Sequence, residues 1–149
     1  MGLPASVVSR WNATSLDSSI CELTWVNPSA NMYGSTPESD SDSDLPRAEF
    51  SLTGDTPDIH TVGSRQRVAT LMFELWHSND VSLETALDLI EATYDNCDRA
   101  GTSPFTISGG TVTRVQYVGD RESGPIDENV YSGTLSFEVE WQKAVSVPA

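Results

Sequence analysis

The sequence predicts an α+β fold: a mainly antiparallel sheet of four to five strands, with a helix packed on one face and a short N-terminal helix. Two patterns carry that prediction. From Tyr131 to Trp141, the residues Tyr131, Gly133, Leu135, Phe137, Val139 and Trp141 alternate with Ser132, Thr134, Ser136, Glu138, Glu140 and Gln142, the period-two repeat of a strand with one face buried and one in water. From Ser82 to Cys97, Leu83, Ala86, Leu87, Ile90, Tyr94 and Cys97 recur at steps of three or four while Glu84, Asp88, Glu91 and Asp95 fall opposite, which is one apolar helical stripe. At 149 residues the chain has the length of a single domain, and one-sided alternation is the mark of antiparallel sheets.

The remaining elements follow in order. Leu3 to about Leu16 reads as the short helix, with Pro4 suited to a first turn and Val7, Val8 and Trp11 at helical spacing. Ile20 to Val26 alternates Cys21, Leu23 and Trp25 against Glu22 and Thr24, and Asn27-Pro28 ends it. Arg47 to Leu52 and Arg65 to His77 form a hairpin whose tip, through Gly54, Asp55, Pro57 and Gly63, is wide and exposed. The second of these strands has apolar residues on both faces, Ala69, Leu71, Phe73 and Leu75 against Val68, Met72 and Trp76, so it is expected to be central in the sheet or partly covered on its second face. In the helix that follows, Ser82 is the expected cap and Gly101 lies past the far end; its length, about 16 residues or roughly 24 Å, is enough to cross a sheet face. Thr111 to Val118 is another strand, and Gly119 to Asn129 a polar loop leading into the last one.

Residues 27–45 differ in character. Asn27-Pro28, Gly34, Pro37 and the run Glu38-Ser39-Asp40-Ser41-Asp42-Ser43-Asp44 contain too little apolar surface to offset the entropy of ordering, so a flexible acidic loop is expected there. Asp40, Asp42 and Asp44 match positions one, three and five of a calcium loop, but position six is Leu45 and position twelve is Ser51, where such loops place Gly and a bidentate Glu. No metal is expected.

Eight basic residues against 22 acidic ones give a formal charge of −14, which argues against a surface that neutralises phosphates. Two cysteines, Cys21 and Cys97, are not a disulfide framework and fit a reducing compartment. No apolar run reaches membrane-spanning length and no signal peptide opens the chain, so a soluble protein made inside the cell is expected. His60 and His77 lack any accompanying nucleophile or metal motif, and Gly109-Gly110 precedes a strand instead of opening a helix, so no phosphate cradle forms. The expected protein is not an enzyme and takes no cofactor.

Four segments, Leu45-Pro46-Arg47-Ala48-Glu49-Phe50, Arg67 to His77, Leu83 to Tyr94 and Val130 to Val139, resemble the tail terminator (tail completion) proteins of long-tailed bacteriophages and prophages. The resemblance spans roughly residues 45 to 142 and lies in the order and length of the elements and in a proline-led strand after an irregular loop. It implies a homo-oligomeric ring, commonly a hexamer, in the virion neck, assembled in the host cytoplasm. There it would cap the head-proximal end of the tail tube and bind the tube protein and the head-completion or connector protein, with DNA passing through without specific binding.

On that reading the candidate partner or channel surfaces are Asp40, Asp42 and Asp44, then Asp55 and Asp58 at the hairpin tip, Asp120, Arg121 and Glu122 in the second loop, and Glu138 and Glu140 on the last strand. Loops on a rigid sheet usually carry recognition, and an acidic surface repels a passing polyanion. The alternative is an acidic inhibitor or DNA mimic directed at a host nucleic-acid-binding protein. An enzyme whose site forms only in the fold ranks third.

Overall fold

The computed structural model describes residues 3–26, 45–61, 64–95 and 110–144. Helix α1 (Leu3–Ala13) and the single turn α2 (Leu16–Ser19) lead into β1 (Leu23–Trp25); β2 (Arg47–Thr61), β3 (Ser64–His77), α3 (Asp80–Tyr94), β4 (Gly110–Tyr117), β5 (Glu122–Asp127) and β6 (Val130–Ala144) follow. The strands form one mixed sheet of order β1-β2-β3-β6-β4, with β5 also paired to β6. Every pairing is antiparallel except β1 with β2. The α+β class stands, and the sheet formed by the described residues has six strands where four to five were expected.

β3 is central, as its two-sided apolar content predicts. It pairs with β2 on one edge and with β6, from Ser64↔Ala144 to His77↔Tyr131, on the other. Since β3 occupies one whole edge of β6, β4 and β5 share the other, β4 along Phe137–Lys143 and β5 along Val130–Thr134. β5 lies within the stretch expected to be a loop.

One face of the sheet carries the helices. Ala48, Phe50, Ala69, Leu71, Phe73, Leu75, Leu135, Phe137 and Val139 point into a core closed by Leu83, Leu87, Ile90 and Tyr94 of α3 and by Val7 and Trp11 of α1. Phe73 is its centre, with ring centroids 4.7 Å from Tyr94, 5.8 Å edge-on from Phe137 and 6.0 Å from Trp11, distances at which aromatic pairs attract beyond area burial. Polar atoms in this layer are satisfied: Tyr94 Oη donates to the Val7 carbonyl at 2.7 Å and Trp11 Nε1 to the Cys21 carbonyl at 2.8 Å. The approach of α3 to the sheet depends on Gly133, because a Cβ there would meet Leu87 Cδ1 at 2.6 Å, well inside van der Waals contact.

Several boundaries differ from expectation, each for a local reason. The N-terminal helix stops at Ala13 and a separate turn follows, with Ser15 at φ 64° between them; β1 is accordingly shorter than Ile20–Val26. α3 starts at Asp80 and its cap is Asn79, whose Oδ1 accepts from Ser82 N at 3.0 Å, while the helix ends at Tyr94, not Cys97. Val81 is 70% exposed, so the first turn adds nothing to the apolar stripe that marks the rest. The β2–β3 hairpin stays paired where a wide tip was expected: the ladder runs on to Thr61↔Ser64, with two irregularities on the way, between Thr53 and Thr56 and between Pro57 and Ile59. Gly54, Asp55 and Pro57, read as turn residues, lie in or beside bulges.

Candidate functional site

The sheet face turned away from the helices is the acidic one. Registered rows run across it: Glu49, Glu74, Thr134 and Glu122 in one, Thr70, Glu138 and Gln116 in the next but one, and Glu140 beside Arg114 beyond that. Arg47 and Arg114 are the described basic side chains of this face. Arg47 lies over the Trp76 ring, 5.3 Å from its centroid, and with this cover the indole is only 4% exposed, a cation–π contact on the polar side of the sheet. Arg114 pairs with both Glu138 and, at 3.0 Å from Nε, Glu140. Met72, 39% exposed, lies between the carboxylate rows.

Glu49 and Glu74 face each other directly across β2 and β3. Burial raises both carboxyls above their ordinary range; Arg47 partly offsets this for Glu49, and the Glu49 charge adds to it for Glu74. Like charges opposite each other in a ladder destabilise it, and partial desolvation adds to the cost of the charged form. Neither residue was among the sequence candidates, although both occupy the outward phase of period-two strands next to Ala48 and Phe50 or Phe73 and Leu75. What reveals them as a pair is the register, which sequence alone leaves open.

The sequence candidates separate into groups. Glu138 and Glu140 share the open face, and Glu122 lies at its margin in the row of Glu74. Asp55 and Asp58 fall at the two β2 irregularities, not at a loop tip. Asp120 and Arg121 hold the fold together: Asp120 Oδ1 accepts from Ser136 N at 2.9 Å, and Val118 N donates to Ser136 O at 3.0 Å. These two bonds fill the rung that neither β4 nor β5 supplies. Arg121 reaches over to α3, with Nη1 2.7 Å from Asp88 Oδ1 and 3.9 Å from Glu91 and its Nη2 3.2 Å from the Glu84 carbonyl. Asp40, Asp42 and Asp44 lie outside the described residues, as does the rest of the acidic loop, 27–44.

Groups with possible reactivity are occupied structurally. His77 Nδ1 accepts from Asn79 N at 3.3 Å beside the α3 cap, and burial lowers its pKa. Burial, with the charge of Glu22, pushes the Cys21 thiol up to about 11, so it is protonated and a poor nucleophile at neutral pH. Among the described residues no three His, Cys, Asp or Glu side chains are grouped to hold a metal ion, and no helix is long and apolar enough to cross a membrane. A wholly apolar hollow lined by Pro4, Ala5, Val8 and Trp25 lies at the β1 edge, with Trp25 43% exposed.

No protein-family model matches the chain, and no curated protein sequence matches it. Its fold has a counterpart among solved structures. A chain described as part of the virion of a native gene transfer agent particle superposes with a TM-score of 0.63 over 95% of each chain, at 11% sequence identity. At that identity the likeness is one of fold, and it extends over nearly the whole length of both proteins.

Proposed function

We propose that this chain is a structural protein of a phage-like virion, and within it a tail terminator: a subunit of a homo-oligomeric ring that caps the head-proximal end of the tail tube and joins it to the head connector. The observation that carries the reading is the end-to-end fold likeness to a gene transfer agent virion chain; the resemblance of residues 45 to 142 to tail terminators supplies the finer role. The physical properties agree with it. A ring around a DNA passage needs a surface that does not bind the polyanion, and the open sheet face with Glu49, Glu74, Glu122, Glu138 and Glu140 offers one.

The role is non-catalytic and needs no cofactor. Tube protein, connector and neighbouring copies of the same chain are the partners, and the site of action is the virion neck. The inhibitor or DNA-mimic reading ranks lower, because Arg114 and Arg121 hold Glu138, Glu140, Glu84, Asp88 and Glu91 in ion pairs, whereas a mimic needs its carboxylates free at phosphate-like spacing. Electron microscopy of particles made without the protein tests the proposal. Abnormal tails and unjoined heads are expected; normal virions would end it.

A further inference from the structure

The segment from Val118 to Glu128 is attached to the rest of the protein in an unusual way. No side chain of β5 is buried: its six residues are exposed apart from half-covered Gly124. Hydrophobic burial therefore contributes little to holding it; its entry is pinned to β6 by the two bonds at Ser136 and to β4 by Arg121 N donating to Tyr117 Oη at 3.1 Å, and beyond that point β5 is held by two polar components. One is the ladder to β6, from Glu122↔Thr134 to Asp127↔Val130. The other is Arg121, whose guanidinium sits among Glu84, Asp88 and Glu91, three acids spaced along one side of α3, while Ser123 Oγ donates to the Glu84 carboxylate. Pro125 pairs opposite Tyr131, a place where its missing N–H falls on the outer, unpaired side of the edge.

We infer that β5 and its flanking turns form a releasable strap, latched to α3 by Arg121, whose opening bares the outer edge of β6 along Val130–Thr134 while the core stays folded. Local opening of this kind is expected where few apolar contacts back the hydrogen bonds. An uncovered β6 edge presents a row of unpaired backbone groups, the template on which another strand can add. The strap is a property of the single chain and stands whether or not the chain assembles into rings.

The ladder contains its own control. Ser136 N–H points to the β4–β5 side, since it donates to Asp120, and β6 pairs with β3 without a register shift. By the period-two rule, Ser132 and Thr134 amides face the strap and Gly133 and Leu135 amides face β3. Residue-resolved amide hydrogen exchange on the full chain should therefore show Ser132 and Thr134 exchanging faster than their immediate neighbours. Arg121→Gln should raise the rates at Ser132 and Thr134 by about 1.5- to fivefold, within the range of exposed ion pairs, and leave Gly133 and Leu135 unchanged. Asp88→Asn should give a smaller increase at the same two amides, and about 1 M salt should accelerate them in the native chain but not in Arg121→Gln. Equal protection of all four amides, or Ser132 and Thr134 rates that neither substitution moves, would overturn the inference.

Discussion

The two faces of the central sheet are built from the same strands and governed by different physics. On the helix side, Phe73, Leu135 and Phe137 are sealed under Leu87, Ile90, Tyr94 and Trp11 with at most 1% exposure, and shape complementarity sets the energetics. On the other side, one residue along in each strand, Glu74, Thr134 and Glu138 meet water, and electrostatics set them. The contrast teaches that stability is concentrated on one face, leaving the other free to keep an unfavourable charge arrangement. Proteins hold such local costs where a surface has work to do.

Substitutions on the two faces should therefore differ in size and even in sign. The largest effect is expected from Phe73→Ala, which empties the centre of the aromatic cluster and should cost about 3–5 kcal/mol, read as a lower midpoint in urea or guanidinium unfolding. Gly133→Ala should cost about 1–3 kcal/mol, because the added methyl meets Leu87, whose own burial leaves it nowhere to retreat; a Leu87→Ala background should recover part of the loss, which a double-mutant cycle measures.

On the open face the sign reverses for Glu74→Gln. The folded carboxyl has a raised pKa, so between the unfolded and folded values the folded state binds more protons, and native stability falls as pH rises through that window. The variant should be more stable than the native chain at neutral pH. Its advantage should shrink as pH drops through the raised pKa and vanish below the ordinary value of 4.5. Thermal unfolding of both proteins across that range measures it, and an advantage independent of pH would contradict the desolvated pair. Arg114→Gln should have the smallest effect: its pairs with Glu138 and Glu140 are part-exposed, and such bridges contribute about 0.2–1 kcal/mol. Its mark should be a melting temperature that high salt lowers less, relative to low salt, than it does in the native chain.

The covered face was the more legible one in the sequence. The alternation in β6, the stripe of α3 and the two-sided composition of β3 state their burial directly, because apolar periodicity and burial are the same signal. Where burial is absent the signal fails. β5 is exposed along its length and contains Gly124 and Pro125, so it reads as a loop although it is paired. The far half of β2 reads as a turn for the same kind of reason, with Gly54 and Pro57 placed at bulges. Trp11 belongs to a stripe of only a few apolar residues, yet it stacks on Phe73 at the core, a contact that chain topology alone creates. On the acidic surface, Glu138 and Glu140 were legible from alternation, whereas Glu49 opposite Glu74 required the register. The roles of Asp120 and Arg121 required knowing where β4 stops and β5 begins.

The proposed ring between tail tube and head can be looked for in the particle itself. Cryo-electron microscopy of purified particles, with the chain fitted into the density, tests it most directly. A closed ring of copies is expected at the head-proximal end of the tail tube, with Glu49, Glu74, Glu138 and Glu140 on a surface free of bound DNA. Finding the chain elsewhere in the particle, or absent from it, would overturn the proposed role.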